Sequence, residues 1–222
     1  MVDQLYILPI LLFSVVIHEL AHGWMALKLG DPTAKAMGRL TLNPIPHIDP
    51  IGSILVPLFS LFVAGQIFIA WAKPVPVNPM NFSNYRRDDI LVSIVGPISN
   101  LLVALVCTIL FILLALISPS LQPSGPIMQE GLTFLLSMFA GGITLNVVLA
   151  VFNMIPIPPL DGSHVVAALL PNEMSEQYQR VGFFGIFLVI FLMRWQPFHI
   201  LFSSIIGAFS YPYWMLVHLF IQ

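Results

Sequence analysis

The sequence predicts an all-α polytopic membrane protein of about five to six spanning helices, with short membrane-associated strands or a re-entrant segment between the first two main spans. Three observations predict it. Of 222 residues, 58% are hydrophobic and only 8% charged, against about 25% charged in an ordinary soluble domain. Apolar stretches recur from end to end, several of them long enough for the ~20-residue helix that crosses a ~30 Å hydrocarbon core. Proline-rich polar stretches divide them. Residues 1–222 therefore read as one intramembrane domain. The net charge of -2 leaves no basic patch of the kind nucleic-acid binding needs. The single cysteine, Cys107, can form neither an intramolecular disulfide nor a cysteine-based zinc site.

Residues 5–29 form the first span, stopped by Gly30-Asp31-Pro32, where glycine caps a helix and proline cannot continue it. The segment opens with Asp3 rather than a basic region and carries His18 and Glu19, so it is not a cleaved signal. Residues 35–89 are the strand or re-entrant region. Leu40 and Leu42 alternate with polar residues, Pro44, Pro46 and Pro50 break any helix, residues 51–70 are apolar, and residues 71–89 are again proline-broken and extended. Residues 90–117 make the next span. Residues 132–162 combine a span with an aspartate-bearing turn, and residues 181–193 and 199–220 make the C-terminal spans.

Orientation follows from the basic residues, which collect in cytoplasmic loops near spans. If residues 51–70 dip in and return while every other apolar segment crosses once, Lys28, Lys35, Arg39, Lys73, Arg86, Arg87 and Arg180 share one face and Arg194 alone lies opposite. A single crossing of residues 51–70 would split the short loops, so the re-entrant reading is preferred. It brings the end of the first span and the aspartate turn to one cytoplasmic face.

Residues 18–22 read His-Glu-Leu-Ala-His. On a helix the i, i+4 spacing puts both imidazoles on one face with Glu19 beside them. Two neutral histidines bind Zn²⁺, and the glutamate takes a proton from a water whose pKa the metal lowers toward ~7. Ionisable residues inside a span cost several kcal/mol unless paired or hydrated, which makes them functional by default. The bland alternative is histidines satisfied by neighbouring carbonyls without a metal. A catalytic zinc takes three protein ligands, so one more must come from elsewhere. Asp161 follows Asn153-Met-Ile-Pro-Ile-Pro-Pro-Leu at the end of a span. Three prolines there break the helix, which membranes tolerate where backbone is buried in protein or lines a watery cavity. Spacing leaves two readings level: a cleft, or an ordinary Pro-Leu-Asp-Gly surface turn.

At this point the chain resembles the site-2 protease family of zinc-dependent intramembrane metalloproteases, in a minimal form without PDZ- or CBS-type domains. The family pairs His-Glu-x-x-His with a later Asn-x-x-Pro-x-x-x-Leu-Asp-Gly, matched here by Asn153, Pro156, Leu160, Asp161 and Gly162. Gly96-Pro97-Ile98-Ser99-Asn100 is similar to the family's Gly-x-x-x-Asn stretch. The resemblance implies Asp161 as third zinc ligand beside His18 and His22, Glu19 as the catalytic acid and base, and Asn153, with Asn100, as residues that contact the substrate. It implies Zn²⁺ as cofactor and hydrolysis of peptide bonds in or near transmembrane segments. The implied partners are a membrane protein with a transmembrane helix and the lipid bilayer; an adaptor or regulator protein is a further partner to expect, and the missing appended domains leave substrate choice open.

Other features carry weaker signals. His47 and Asp49 lie close to the metal helix in sequence and could ligate zinc, orient a ligand or bond a carbonyl. Residues 71–78 could offer a strand edge to an extended substrate, or form an interfacial loop anchored by Trp71. Gly141-Gly142, and Gly182 with Gly185, suit close helix approach. His199 and His218 read as core or interfacial, and His164 lies near the aspartate motif without an assignable role. Two other classes fit less well. A metal-handling or transport protein would use His18, His22 and Asp161 for ion transit but leaves Glu19 unexplained, and a zincin with a glutamate ligand lacks a globular catalytic domain. The same donors also accept Co²⁺ or Fe²⁺.

Overall fold

The computed structural model describes residues 6–55, 72–121 and 125–221. Among these, four helices are long and apolar enough to cross a membrane: α1 (Ile7–Lys28), α3 (Tyr85–Leu121), α4 (Pro126–Asn153) and α8 (Gln196–Phe220). Shorter helices are α2 (Thr33–Ala36), α5 (Asp161–Leu169), α6 (Asn172–Gln179) and α7 (Gly185–Arg194). The expected re-entry or crossing of residues 51–70 lies mostly outside the described residues; Pro50–Leu55 forms a single π-helical turn.

Local chemistry sets the boundaries. α1 ends as anticipated at Gly30, whose φ of 103° lets Asp31 N–H reach the Ala26 carbonyl at 2.9 Å and Gly30 N–H that of Leu27 at 3.2 Å. α3 starts before residue 90, because Asn84 caps it. Asn84 N–H donates to Asp88 Oδ2 at 2.9 Å, and Asn84 Oδ1 accepts from Arg87 N–H. The expected strands do not form among the described residues. Thr33–Ala36 is a helical turn, and residues 72–78 carry neither helix nor ladder, with extended backbone at Asn78. The aspartate segment is two elements: α4 stops at Asn153, and Asp161 opens α5 after the proline turn.

The long helices pack as an up-and-down bundle. α3 runs antiparallel to α1 and α4, its Val103 and Cys107 clustering with Ile10 of α1, Ile143 of α4 and Val217 of α8. At Gly142 a Cβ would sit 2.9 Å from Cys107 Sγ and 3.0 Å from Ile10 Cγ1, so the absent side chain is what allows three helices to meet. α8 runs antiparallel to α4. Phe202 near its start packs on Ile155, and Tyr213 Oη near its end donates to the Leu101 carbonyl at 3.0 Å.

Three expectations change at the C-terminal end. α7 has ten residues, about 15 Å, half of what a span requires. It packs on the turn after α4, where a Cβ at Gly185 would lie 1.7 Å from the Pro158 carbonyl oxygen. Arg194 closes α7 just before α8 begins at the end of the bundle holding Ile155, so it joins the other seven basic residues instead of standing opposite. Gly182 has a φ of 49° and nothing near its missing Cβ; it serves a turn, not helix packing.

Candidate active site

His18 and His22 lie one turn apart on α1, each 8% exposed, and face α3. Gly96 makes the room. A Cβ there would lie 2.3 Å from His22 Nε2 and 2.8 Å from His18 Cε1. One turn along α3, Asn100 is 1% exposed, with its Oδ1 2.9 Å from His18 Nδ1. One turn the other way, the Val92 carbonyl is 2.6 Å from His22 Nδ1. A carbonyl only accepts, so His22 carries its proton on Nδ1, and the Asn100 oxygen assigns His18 the same tautomer. Both Nε2 atoms then present bare lone pairs.

Asp161 reaches them from the start of α5. Its helix can begin there because Gly162 abuts the end of α4, where a Cβ would stand 2.3 Å from the Met154 carbonyl oxygen. His18 Nε2 and His22 Nε2 are 3.0 Å apart, and Asp161 Oδ2 is 3.2 and 3.4 Å from them. Metal bonds of 2.0–2.2 Å at tetrahedral angles place ligand atoms about 3.3–3.6 Å apart, close to these separations. Asp161 Oδ2 is buried without a hydrogen-bond partner. Two lone pairs and a carboxylate oxygen in mutual contact repel unless a cation lies among them. Two imidazoles and one carboxylate, with a fourth position left for water, suit Zn²⁺. The residues fit the metal, and among the described residues His18, His22 and Asp161 form the one such cluster.

Glu19 lies beside this centre, half-buried, its Oε2 accepting from Val75 N–H at 2.7 Å. Val75 belongs to the extended segment, which crosses α1 where Gly23 leaves space: a Cβ there would meet Leu40 at 2.7 Å and Val75 at 2.8 Å. Side chains and single backbone bonds hold this segment. Arg39 Nη2 donates to the carbonyls of Lys73 at 2.8 Å and Pro74 at 3.3 Å. Lys73 N–H donates to the His47 carbonyl, and Asn78 N–H to Asp31 Oδ2 at 2.7 Å.

The remaining candidates separate by environment. His47 is buried and its Nε2 donates to the Thr41 carbonyl at 3.0 Å; Asp49 Oδ1 accepts from the backbone of Ile51 and Gly52. Both shape the loop and stand outside the metal cluster. Asn153 is the last residue of α4, its Nδ2 donating to the Leu149 carbonyl. Asn100, expected to contact substrate, is enclosed against His18. His199 and His218 lie exposed near the two ends of α8. Sequence reasoning missed the Val92 carbonyl, the Val75 N–H and the space at Gly96. Only the last left a signal, since Gly96 and Asn100 share a helical face at i, i+4.

A helix bundle of membrane-spanning length carrying this donor set, with a glutamate beside it, defines a metallopeptidase embedded in the membrane. Residues 114–193 match Peptidase family M50. The chain is 40% identical over 189 residues to "Putative zinc metalloprotease YwhC" of Bacillus subtilis, covering 84% of this chain and 80% of that one. It is 29% identical over 182 residues to "Putative zinc metalloprotease Rip2" of Mycolicibacterium smegmatis and 32% identical over 183 residues to the protein of that name in Mycobacterium tuberculosis strain H37Rv. Each alignment spans 82% of this chain, with 64% and 62% of those longer chains. No solved structure gives a significant match. The chain belongs to peptidase family M50, the site-2 protease family, and is a zinc metalloprotease.

Proposed function

We propose that this metalloprotease cuts peptide bonds in or beside the transmembrane segments of other membrane proteins, as a step of regulated intramembrane proteolysis, with its active site toward the cytoplasmic side. The observation that carries the reading is the convergence of His18 Nε2, His22 Nε2 and Asp161 Oδ2 within 3.0–3.4 Å inside a bundle whose walls are spanning helices. Orientation rests on all eight basic residues gathering at the end of the bundle nearest this centre.

When bound, zinc supplies a Lewis acid for the scissile carbonyl and lowers the pKa of water toward about 7. His18, His22 and Asp161 hold it, while Asn100 and Val92 fix which imidazole nitrogens are free to do so. Glu19 takes the proton of the attacking water through its carboxylate and delivers it to the leaving amine. Val75 N–H aims that carboxylate. A substrate helix hides its carbonyls in internal hydrogen bonds, so it must unwind locally, and Asn153 at the end of α4 holds the extended segment. An adaptor or regulator that presents the substrate is a further partner.

Purified protein in proteoliposomes with a model single-span substrate tests this. Cleavage is expected to stop with a chelator and return with Zn²⁺. Glu19→Gln should retain one zinc per chain yet lose cleavage by at least ~10²-fold, whereas His18→Ala and Asp161→Ala should lose zinc as well. Cleavage by Glu19→Gln at the wild-type rate would overturn the assignment.

A further inference from the structure

We propose that His164, held by Asp89, is a further catalytic residue: its Nε2–H donates a hydrogen bond to the scissile carbonyl oxygen as negative charge builds there. The inference rests on reading His18, His22, Asp161 and Glu19 as the reacting centre. That centre supplies a base and a metal site but no side-chain donor for the oxygen.

Four observations place His164 in this role. It follows Asp161 by three residues on α5, a spacing that makes side chains neighbours with Cβ atoms about 5–6 Å apart. Its Nδ1 lies 3.2 Å from Asp89 Oδ2. Asp89 is buried on α3, one turn from the Val92 carbonyl that orients His22. The side chain of His164 is 43% exposed against 9% for Asp89, so the ring is not packed away. A carboxylate on Nδ1 fixes the donor at that nitrogen and favours the protonated ring, in which Nε2 also carries a hydrogen.

Docking of α5 does not depend on this pair. Arg86 Nη2 donates to Asn172 Oδ1 at 2.9 Å and to the Leu170 carbonyl, and Gly162 seats the other end of the helix against Met154. In the step itself the water oxygen bonds to the carbonyl carbon, the π pair moves onto the oxygen, and Glu19 receives the water proton. His164 transfers nothing; it stabilises the new charge, a contribution of the kind worth ~10²–10³ in kcat elsewhere.

The test uses full-length, zinc-loaded protein in proteoliposomes. His164→Gln and His164→Ala are expected to lower kcat by ~10²-fold with little change in KM, and to weaken binding of a tetrahedral phosphinate peptide comparably. Zinc content should stay unchanged, as should affinity for intact substrate measured in a Glu19→Gln background. Asp89→Asn, which keeps the shape of the pair, should give a smaller loss. Wild-type kcat in the His164 variants would overturn the proposal, and so would zinc lost in proportion to activity, which would make the pair a brace for Asp161. Failure of Glu19→Gln to abolish cleavage would instead overturn the underlying reading of the centre.

Discussion

At Gly96 a hydrogen atom is the whole side chain, and two imidazole rings occupy the space a methyl group would take. The glycine belongs to the metal site although it donates nothing to it. Gly96→Ala adds a carbon 2.3 Å from His22 Nε2, so the ring must turn and break its hydrogen bond to Val92. The expected outcome is a loss of zinc affinity of ~10–100-fold, the range typical for disturbed supporting contacts, measured by competition with a chromogenic chelator. Retained affinity would mean that α3 can back away. At this scale the sequence was legible where chemistry is local: a His-Glu-x-x-His on a helix states its own geometry. Asp161 was not, because its spacing fitted a surface turn equally well and the resemblance had to supply its role.

At the scale of elements, the joint between α1 and the extended segment decides how Glu19 is held. Asp31 ties the two together, accepting from Thr33, from Asn78 N–H and from Asn81 Nδ2. Burial alone would raise its carboxyl pKa; these donors outweigh that and hold it below the usual carboxylate range. A depressed pKa contributes stability that is present above the unfolded value, near 3.9, and is lost as pH falls through the folded value. At neutral pH Asp31→Ala strands several donors and should cost about 1–3 kcal/mol, read as a lower unfolding temperature in detergent. It should also reduce kcat, as Val75 loosens its hold on Glu19; a destabilised variant with full activity would separate this joint from catalysis. The strand expectation fails at Leu40 and Leu42 because alternation of side chains says nothing about whether a partner edge exists. The start of α3 lies inside the polar run Tyr85 to Asp89 for a related reason: Asp88 Oδ2 accepts from Asn84 N–H and Asn84 Oδ1 from Arg87 N–H, contacts that polarity alone does not announce.

At the scale of the whole molecule, the bundle is polarised. The C-terminal ends of α1 and α4 and the starts of α3 and α8 collect every lysine and arginine, while Glu130 lies in the first turns of α4 at the other end. In a Cys107→Ser background, Arg86→Cys and Arg180→Cys should react with an impermeant maleimide in inverted vesicles only, and Glu130→Cys in right-side-out vesicles only. Labelling of Arg86→Cys and Glu130→Cys from the same side would overturn the bundle's orientation. The lipid-facing apolar side chains need no further cover, because hydrocarbon is their solvent.

Composition and short-range spacing were sufficient for the membrane class, the long helices and the shared face of His18 and His22. Those properties depend on hydropathy summed over ~20 residues or on a single helical turn. Convergence was a different matter. Whether Asp161 meets two imidazoles well over a hundred positions earlier, which nitrogens those rings leave free, and on which end Arg194 sits depend on glycines that let backbones touch and on carbonyls presented by another helix. Such contacts join residues with no fixed separation along the chain, so only the packed structure could decide them.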